Sequence, residues 1–259
     1  IDRDKLLISV RNAVEQVKLL TENIEIKKSL GVDGEILGQS KGIKHILELI
    51  DKVAPLDTRV LITGENGTGK ELVARAIHKK SQRKDKPFIE VNCAAIPNEL
   101  IESELFGHEK GSFTGAVNQR IGRFELANKG TIFLDEVGDM SPQAQAKVLR
   151  AIEDGKIERV GGGKKIDVDV RIISATNKEL LEEIEKEKFR EDLYHRLNVI
   201  PINIPPLRER KDDIPLLVEA FAKEIIARHK KPPVKFLEDS VKLLQEMNWS
   251  GNVRELKNI

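Results

Sequence analysis

A single cysteine, Cys93, is all the thiol in this chain of 259 residues. One thiol makes no internal disulfide and fills no zinc site, so a reducing cytoplasm is the expected compartment. Aromatic residues make up 4%, with one tryptophan, Trp249, too few for a surface that stacks single-stranded bases. Net charge is almost absent: 44 lysines and arginines against 43 aspartates and glutamates leave +1. Such a balance excludes a global electrostatic hold on nucleic acid or on an anionic membrane. No apolar run approaches the roughly 18 residues of a membrane helix, and no signal peptide is recognisable. The Asn-x-Ser/Thr triplets at Asn66 and Asn248 are therefore read as chance matches. His45, His78, His108, His195 and His229 show no metal-ligand spacing and are expected to pack or face solvent, with His108 hydrogen-bonding within the base of the 111–116 loop.

What is present is 39% hydrophobic and 34% charged residues, interleaved as in a globular chain rather than a disordered one. Over the first thirty residues Leu6, Val10, Ala13, Val17, Leu20 and Ile24 recur at alternating spacings of four and three. That is a heptad seam, which predicts a linker helix over 1–30 able to dimerise as a coiled coil. Beyond Gly31, Gly34 and Gly38 a second helix is predicted from 41 to 53. Short β-rich runs at 59–63, 88–92, 131–134, 170–174 and 199–204 then alternate with helical patterns at 70–80, 142–153 and 178–187. Alternation of this kind implies α/β architecture with parallel strands and crossover helices. After Pro205-Pro206 only helices follow, at 214–229 and 237–247, so an α/β unit over 36–207 is expected to lead into a small helical one over 208–259. The run Gly161–Gly163 reads as a hairpin tip. The chain opens without methionine and stops inside a helical pattern, so it reads as a piece of something longer.

The chemistry concentrates after the first strand. Gly64, Glu65, Asn66, Gly67, Thr68, Gly69, Lys70 and Glu71 follow an apolar strand and open a helix. Glycines at these spacings let backbone N–H groups close around a polyphosphate, the helix presents its positive N-terminus, and Lys70 supplies a point charge for the outer phosphates. Glu71 stands where Ser or Thr usually ligates magnesium, so the metal must depend on a carboxylate elsewhere. The apolar run from Thr131 ends in Asp135-Glu136, which provides one: Asp135 to orient magnesium, Glu136 to take a proton from water. Asn177 and Asn92 sit at the ends of two further strands, each suited either to a phosphate or water contact or to capping the element that follows.

These motifs, together with 104–116, 189–197 and 249–256, resemble the AAA+ domain of sigma-54-dependent transcriptional activators, the bacterial enhancer-binding proteins of the NtrC type. The resemblance covers about 36–259. It implies an AAA+ P-loop fold, a parallel αβα sandwich with a helical lid that is incomplete here. It also implies Mg2+-dependent ATP hydrolysis in a ring, a hexamer or heptamer.

Gly111, Ser112, Phe113, Thr114, Gly115 and Ala116 match the family's GAFTGA loop, implying a grip on the sigma-54 factor of RNA polymerase in closed promoter complexes. Ser112 departs from the usual alanine. Two flanking glycines give the loop freedom at low steric cost, and Phe113 is either an exposed contact or folded inward. By the same resemblance Asn92 is the switch asparagine that pairs with Glu136, Asn177 is sensor I, Arg190 and Arg196 are trans-acting arginine fingers, and Arg254 is the sensor II arginine. Ile36 and Gly38 lie in the stretch that lines the adenine. Read bottom-up, Arg190 and Arg196 would instead be surface arginines pairing with Glu191 or Glu187. The charged run 207–213 is either a solvated turn or a linker transmitting the nucleotide state to the lid. Residues 155–165 would form a second, supporting loop. DNA binding is expected of a C-terminal domain outside this chain, and no membrane contact is implied.

Overall fold

The computed structural model describes residues 35–259 apart from Thr114, Gly115, Lys230, Lys231, Pro233 and Lys235. The predicted linker helix over 1–30 lies outside the described residues.

Helix α1 (Lys41–Val53) starts where the Ser40 side chain accepts a hydrogen bond from Ile43 N, and it buries Ile43, Ile46, Ile50 and Val53 at helical spacing. Strand β1 (Val60–Thr63) runs through a glycine-rich turn into α2 (Lys70–Lys79), followed by β2 (Phe88–Asn92). Helix α3 (Asn98–Phe106) leads into a short antiparallel pair, β3 (Gly107–His108) and β4 (Arg120–Ile121), the stem of the 111–116 loop. A turn of helix, α4 (Arg123–Leu126), precedes β5 (Thr131–Asp135). Helix α5 (Pro142–Asp154) is capped by Ser141 with proline in its first turn, and ends at Gly155 in the left-handed region. The hairpin β6 (Lys156–Glu158) and β7 (Lys165–Asp167) follows, with Gly161 at φ +74° in its tip as the glycine run predicts. Strand β8 (Arg171–Thr176), helices α6 (Leu180–Glu185) and α7 (Glu191–Leu197), and β9 (Ile200–Asn203) complete the α/β unit. Helices α8 (Ile214–His229), α9 (Glu238–Glu246) and α10 (Asn252–Asn258) come last.

The central sheet has the order β2-β5-β8-β1-β9, and every neighbouring pair is parallel. Alternation along each strand divides its residues between two apolar layers. Leu61, Ile132, Leu134 and Ile172 pack on one side, Val60, Ile62, Phe133 and Ile173 on the other. A separate core of Leu207, Ile214, Leu217, Val218, Trp249 and Leu256 holds the last helices together. The predicted strands are all found. The helix expected over 178–187 is shorter: Thr176 Oγ1 accepts from Lys178 N, delaying the start, and Glu187 at φ +56° ends it. Parallel register places the C-terminal ends of β1, β2, β5 and β8 along one edge, with Asn92 paired to Asp135 and Thr63 to Thr176. At such an edge α/β sheets bind ligands.

Candidate nucleotide site and loop

The turn after β1 is built from glycines in backbone conformations that only glycine adopts freely. Gly64, Gly67 and Gly69 have φ of +152°, +78° and +107°, values that side chains rarely allow. Lys70, the first residue of α2, is 7% exposed; its Nζ donates to Gly64 O at 3.0 Å and lies 3.2 Å from Glu136 Oε1. Thr68 turns inward instead, its Oγ1 donating to Glu65 O. Glu71 accepts from Arg75 Nε at 2.9 Å, one helical turn on.

Asp135 ends β5, and its Oδ1 accepts from Glu136 N at 3.1 Å. Burial, then the neighbouring Glu136 charge, push its carboxyl above the ordinary aspartate range, while Lys70 opposes them. Glu136 has φ +52°, uncommon for a residue with a side chain. That backbone turns its carboxylate toward Lys70 and toward the Asn177 backbone, whose N–H donates to Oε2 at 3.0 Å. Asn177 therefore meets Glu136 through its main chain and does not cap α6, whose N-cap is Glu179. Asn92 follows the capping alternative: Oδ1 accepts from Ala95 N at 3.0 Å, closing the short turn at Cys93–Ala95. Cys93 beneath is buried, as expected of a small hydrophobe, and its thiol is pushed up to about 12 by burial and then by Asp135.

A cavity of about 700 Å³ opens beside these groups, lined by Asn66, Gly67, Gly69, Lys70, Glu71, Asp135, Glu136 and Arg254 among others. Leu37, Leu72, Ala220, Phe221 and Val253 give it apolar lining as well. Ile36 and Gly38 do not line it. In this extended segment neighbours face opposite ways, so Ile36 packs into the sheet core and Gly38 against Ile43 and Asp213.

The lid and the charged run 207–213 meet the glycine turn through contacts that sequence reasoning missed. Arg208 forks onto Glu65 at 2.8 and 2.6 Å, and Asn252 Nδ2 donates to Glu65 Oε2 at 3.1 Å and to Asn66 O at 3.0 Å. These bonds hold the Glu65 carboxyl down at about 2. Glu65 thus contributes backbone to the turn while its side chain faces the lid. Arg210, 4% exposed, donates to Thr68 O, and Asp213, fully buried, accepts from Gln39 N, Ser40 N and Ser40 Oγ. The solvated-turn alternative is therefore overturned. The only signal was the density of charge next to Pro205-Pro206.

Arg190 and Arg196 stand away from the cavity on α7 and its N-cap, half exposed. Their partners are Asp192, at 3.0 and 2.7 Å, and Glu153, at 3.0 and 2.8 Å. They do not pair with Glu191 or Glu187; Glu191 lies 3.7 Å from His195.

In the 111–116 loop Gly111 N donates to Ala116 O at 2.8 Å and Ala116 N to Phe113 O at 3.0 Å. Phe113 is 39% exposed, with one edge against the His108 ring 5.0 Å away, so it is neither free nor folded into the core. His108 in turn pairs with Ser103 Oγ at 2.7 Å, so its hydrogen bond runs to helix α3 and not within the loop base. Arg159 of the β6–β7 hairpin bridges Glu125 and Glu109. Ser112 packs against Gly161, where a Cβ would lie 2.4 Å from its own, and its hydroxyl is buried with no partner among the described residues.

Residues 36–203 match the sigma-54 interaction domain family, and 208–259 match an AAA+ ATPase lid domain. The chain belongs to the sigma-54-dependent activators. It is 48% identical to the Nif-specific regulatory protein of Azotobacter vinelandii, aligning 99% of this chain with 52% of that one. It is 47% identical to the formate hydrogenlyase transcriptional activator FhlA of Escherichia coli K12, over 99% of this chain and 39% of the relative. The chain thus spans 52% and 39% of the length of these two relatives. NtrX from Brucella abortus in complex with ATP superposes with a TM-score of 0.83 at 43% identity, covering all of this chain and 58% of NtrX. Hsp104, at 21% identity and a TM-score of 0.61, shares the fold. The sheet, the lid and these neighbours place this activator in the AAA+ fold class.

Proposed function

We propose that this activator domain hydrolyses ATP and uses the cycle to move the 111–116 loop against sigma-54, opening promoters held in closed complexes. The observation that carries this reading is the convergence of Lys70, Asp135, Glu136 and Arg254 on one cavity beside a turn that only glycines form freely. Its apolar lining suits an adenine, and its charged groups a triphosphate. The residue set suits magnesium as well: among the described residues no three ligating side chains converge, but Asp135 faces the cavity and phosphate oxygens would complete the shell. When bound, that ion supplies positive charge at the phosphate oxygens.

The chain's own residues do the rest. Backbone N–H groups of 66–70 hold the polyphosphate, and Lys70 compensates the charge that builds on the γ-oxygens. Glu136, kept in place by its backbone and by Asn177 N–H, takes a proton from the attacking water. Asn92 stands one strand away, paired in register with Asp135, and reports the γ-phosphate by exchanging its Ala95 cap for Glu136. Arg190 and Arg196, held outward by Asp192 and Glu153, reach the site of a neighbouring copy, so hydrolysis requires a ring. Arg254 contacts the outer phosphates from the lid. Gly111 to Ala116, including Thr114 and Gly115, form the sigma-54 contact, backed by 155–165. Dimerisation through 1–30, a hexameric or heptameric ring, DNA contact through a further domain and a cytoplasmic setting complete the reading. Among the described residues no helix is long and apolar enough to cross a membrane.

The test is capture of purified sigma-54 in the presence of ADP with a metal-fluoride phosphate mimic, comparing the native sequence with Thr114→Ala and measuring hydrolysis on both. Capture lost with hydrolysis kept supports the reading. Hydrolysis without capture in any nucleotide state rejects sigma-54 as the client.

A further inference from the structure

Three consecutive residues of the glycine turn are fastened to the lid. Glu65 accepts from Arg208 and Asn252, Asn66 O accepts from Asn252, and Gly67 O accepts from Arg254 N at 3.3 Å. At Gly67 the two backbones touch, since a Cβ there would sit 2.3 Å from Gly251 O. Asn252 is the hub. It is fully buried, has φ +54°, and spends both amide donors on the turn while its Oδ1 accepts from Leu207 N at 2.7 Å. A buried amide with donors and acceptor all engaged permits one orientation. It begins α10, and Arg254 stands two residues further along the same short helix. The direction in which Arg254 leaves the helix is therefore referred to the glycine turn, not to the sheet.

We propose that Asn252 and Arg208, by holding Glu65, are positioning residues that set where Arg254 stands over the nucleotide and thereby set the preference for ATP over ADP. This rests on the reading of the cavity as a nucleotide site. The Arg208–Glu65 pair is more than a third exposed at both ends, and pairs of that kind contribute little to overall stability. Its geometry serves another purpose. A planar fork on a carboxylate fixes two groups in distance and angle together, and here it joins the phosphate loop to the segment that enters the lid. On the proposed reading Arg254 contacts the outermost phosphates from the lid, so a triphosphate gains more from its placement than a diphosphate does. Loosening the tether therefore affects the triphosphate more.

The experiment is calorimetric titration of the chain with ADP and with adenosine imidotriphosphate, for the native sequence, Arg208→Ala, Glu65→Gln, Arg254→Ala and the double variant Glu65→Gln/Arg254→Ala. Thermal unfolding is recorded for each. The expected result is that Arg208→Ala and Glu65→Gln each lower the triphosphate-to-diphosphate affinity ratio by at least about fivefold. In the double variant the Glu65 change should lower the ratio no further once Arg254 is gone. Arg208→Lys, which keeps the charge but not the fork, should behave like Arg208→Ala. Equal weakening of both nucleotides, an unchanged ratio, or additive losses in the double variant overturn the proposal. Failure of the native chain to bind either nucleotide appears before any variant is compared, and rejects the nucleotide site itself.

Discussion

Lys70 Nζ lies 3.2 Å from Glu136 Oε1, with both side chains largely buried. The lysine of the glycine turn and the carboxylate after β5 thus pair beside the cavity, and on the proposed reading a polyphosphate competes for the same ammonium. Lys70 is the charge that phosphates need, so Lys70→Ala should abolish nucleotide binding, whereas Glu136→Gln should keep it. The latter should slow phosphate release by about 10²–10⁴-fold, the usual contribution of a general base. Calorimetry with ADP and a steady-state phosphate assay on the two variants separate these effects. Glu136→Gln hydrolysing at the native rate would remove Glu136 as the base.

The guanidinium groups of Arg190 and Arg196 are half exposed and pair with Asp192 and Glu153. Arg190→Ala and Arg196→Ala should each lower hydrolysis by about 10³-fold or more, the range of a supplied arginine, with ADP affinity of the single chain unchanged. Mixing Arg196→Ala with Lys70→Ala should restore part of the activity, because one copy contributes an intact pocket and the other an intact arginine. No recovery on mixing, across a range of ratios, would place the arginines in service of their own chain.

The packing of Ser112 on Gly161 makes opposite predictions for the two loops. Ser112→Ala removes a hydroxyl buried without a partner, so stability should be unchanged or higher by up to about 1 kcal/mol. Gly161→Ala adds a Cβ at φ +74° and 2.4 Å from Ser112 Cβ. It should cost about 1–2 kcal/mol and displace the 111–116 loop, weakening sigma-54 capture while hydrolysis persists. Urea unfolding and the capture assay read the two effects, and Ser112→Gly in the same chain should relieve the second.

Glu65 carries a pH signature. Its carboxyl, ordinarily near 4.5, is held at about 2 by Arg208 and Asn252. A depressed folded value contributes stability that is complete above the ordinary value and is lost as pH falls from 4.5 toward 2. The native chain and Glu65→Gln should therefore differ most in urea midpoint above pH 5 and converge toward pH 2–3. A gap that stays constant with pH would mean that the carboxylate charge is not what the lid holds.

The residues at the cavity were readable because their signals are local. A strand, a glycine turn and a helix in succession specify where Lys70 stands, and an apolar run ending in two acids specifies Asp135 and Glu136. The α/β class followed from the alternation of strand and helix patterns, and the short apolar runs at β1, β5 and β8 are buried almost throughout because each strand is covered on both faces. The one-residue register in 35–38 was not readable in the same way. Whether Leu37 or Ile36 faces the cavity is decided by how the segment docks on Asp213, far along the chain. For Asn92, capping and a phosphate contact are equally compatible with the end of a strand, and only the neighbouring turn selects the cap.

Sequence alone therefore determined the class of fold and, through the resemblance, the family, and it singled out Lys70, Asp135 and Glu136, which the structure brings to one cavity. Tertiary structure decided which groups speak to one another. Glu65 finds Arg208 across 143 positions and Asn252 across 187, and Lys70 finds Glu136 only when β1 and β5 lie in one sheet. Hydrogen bonds require angstrom-scale placement of both partners, and the chain acquires that placement only when its layers close.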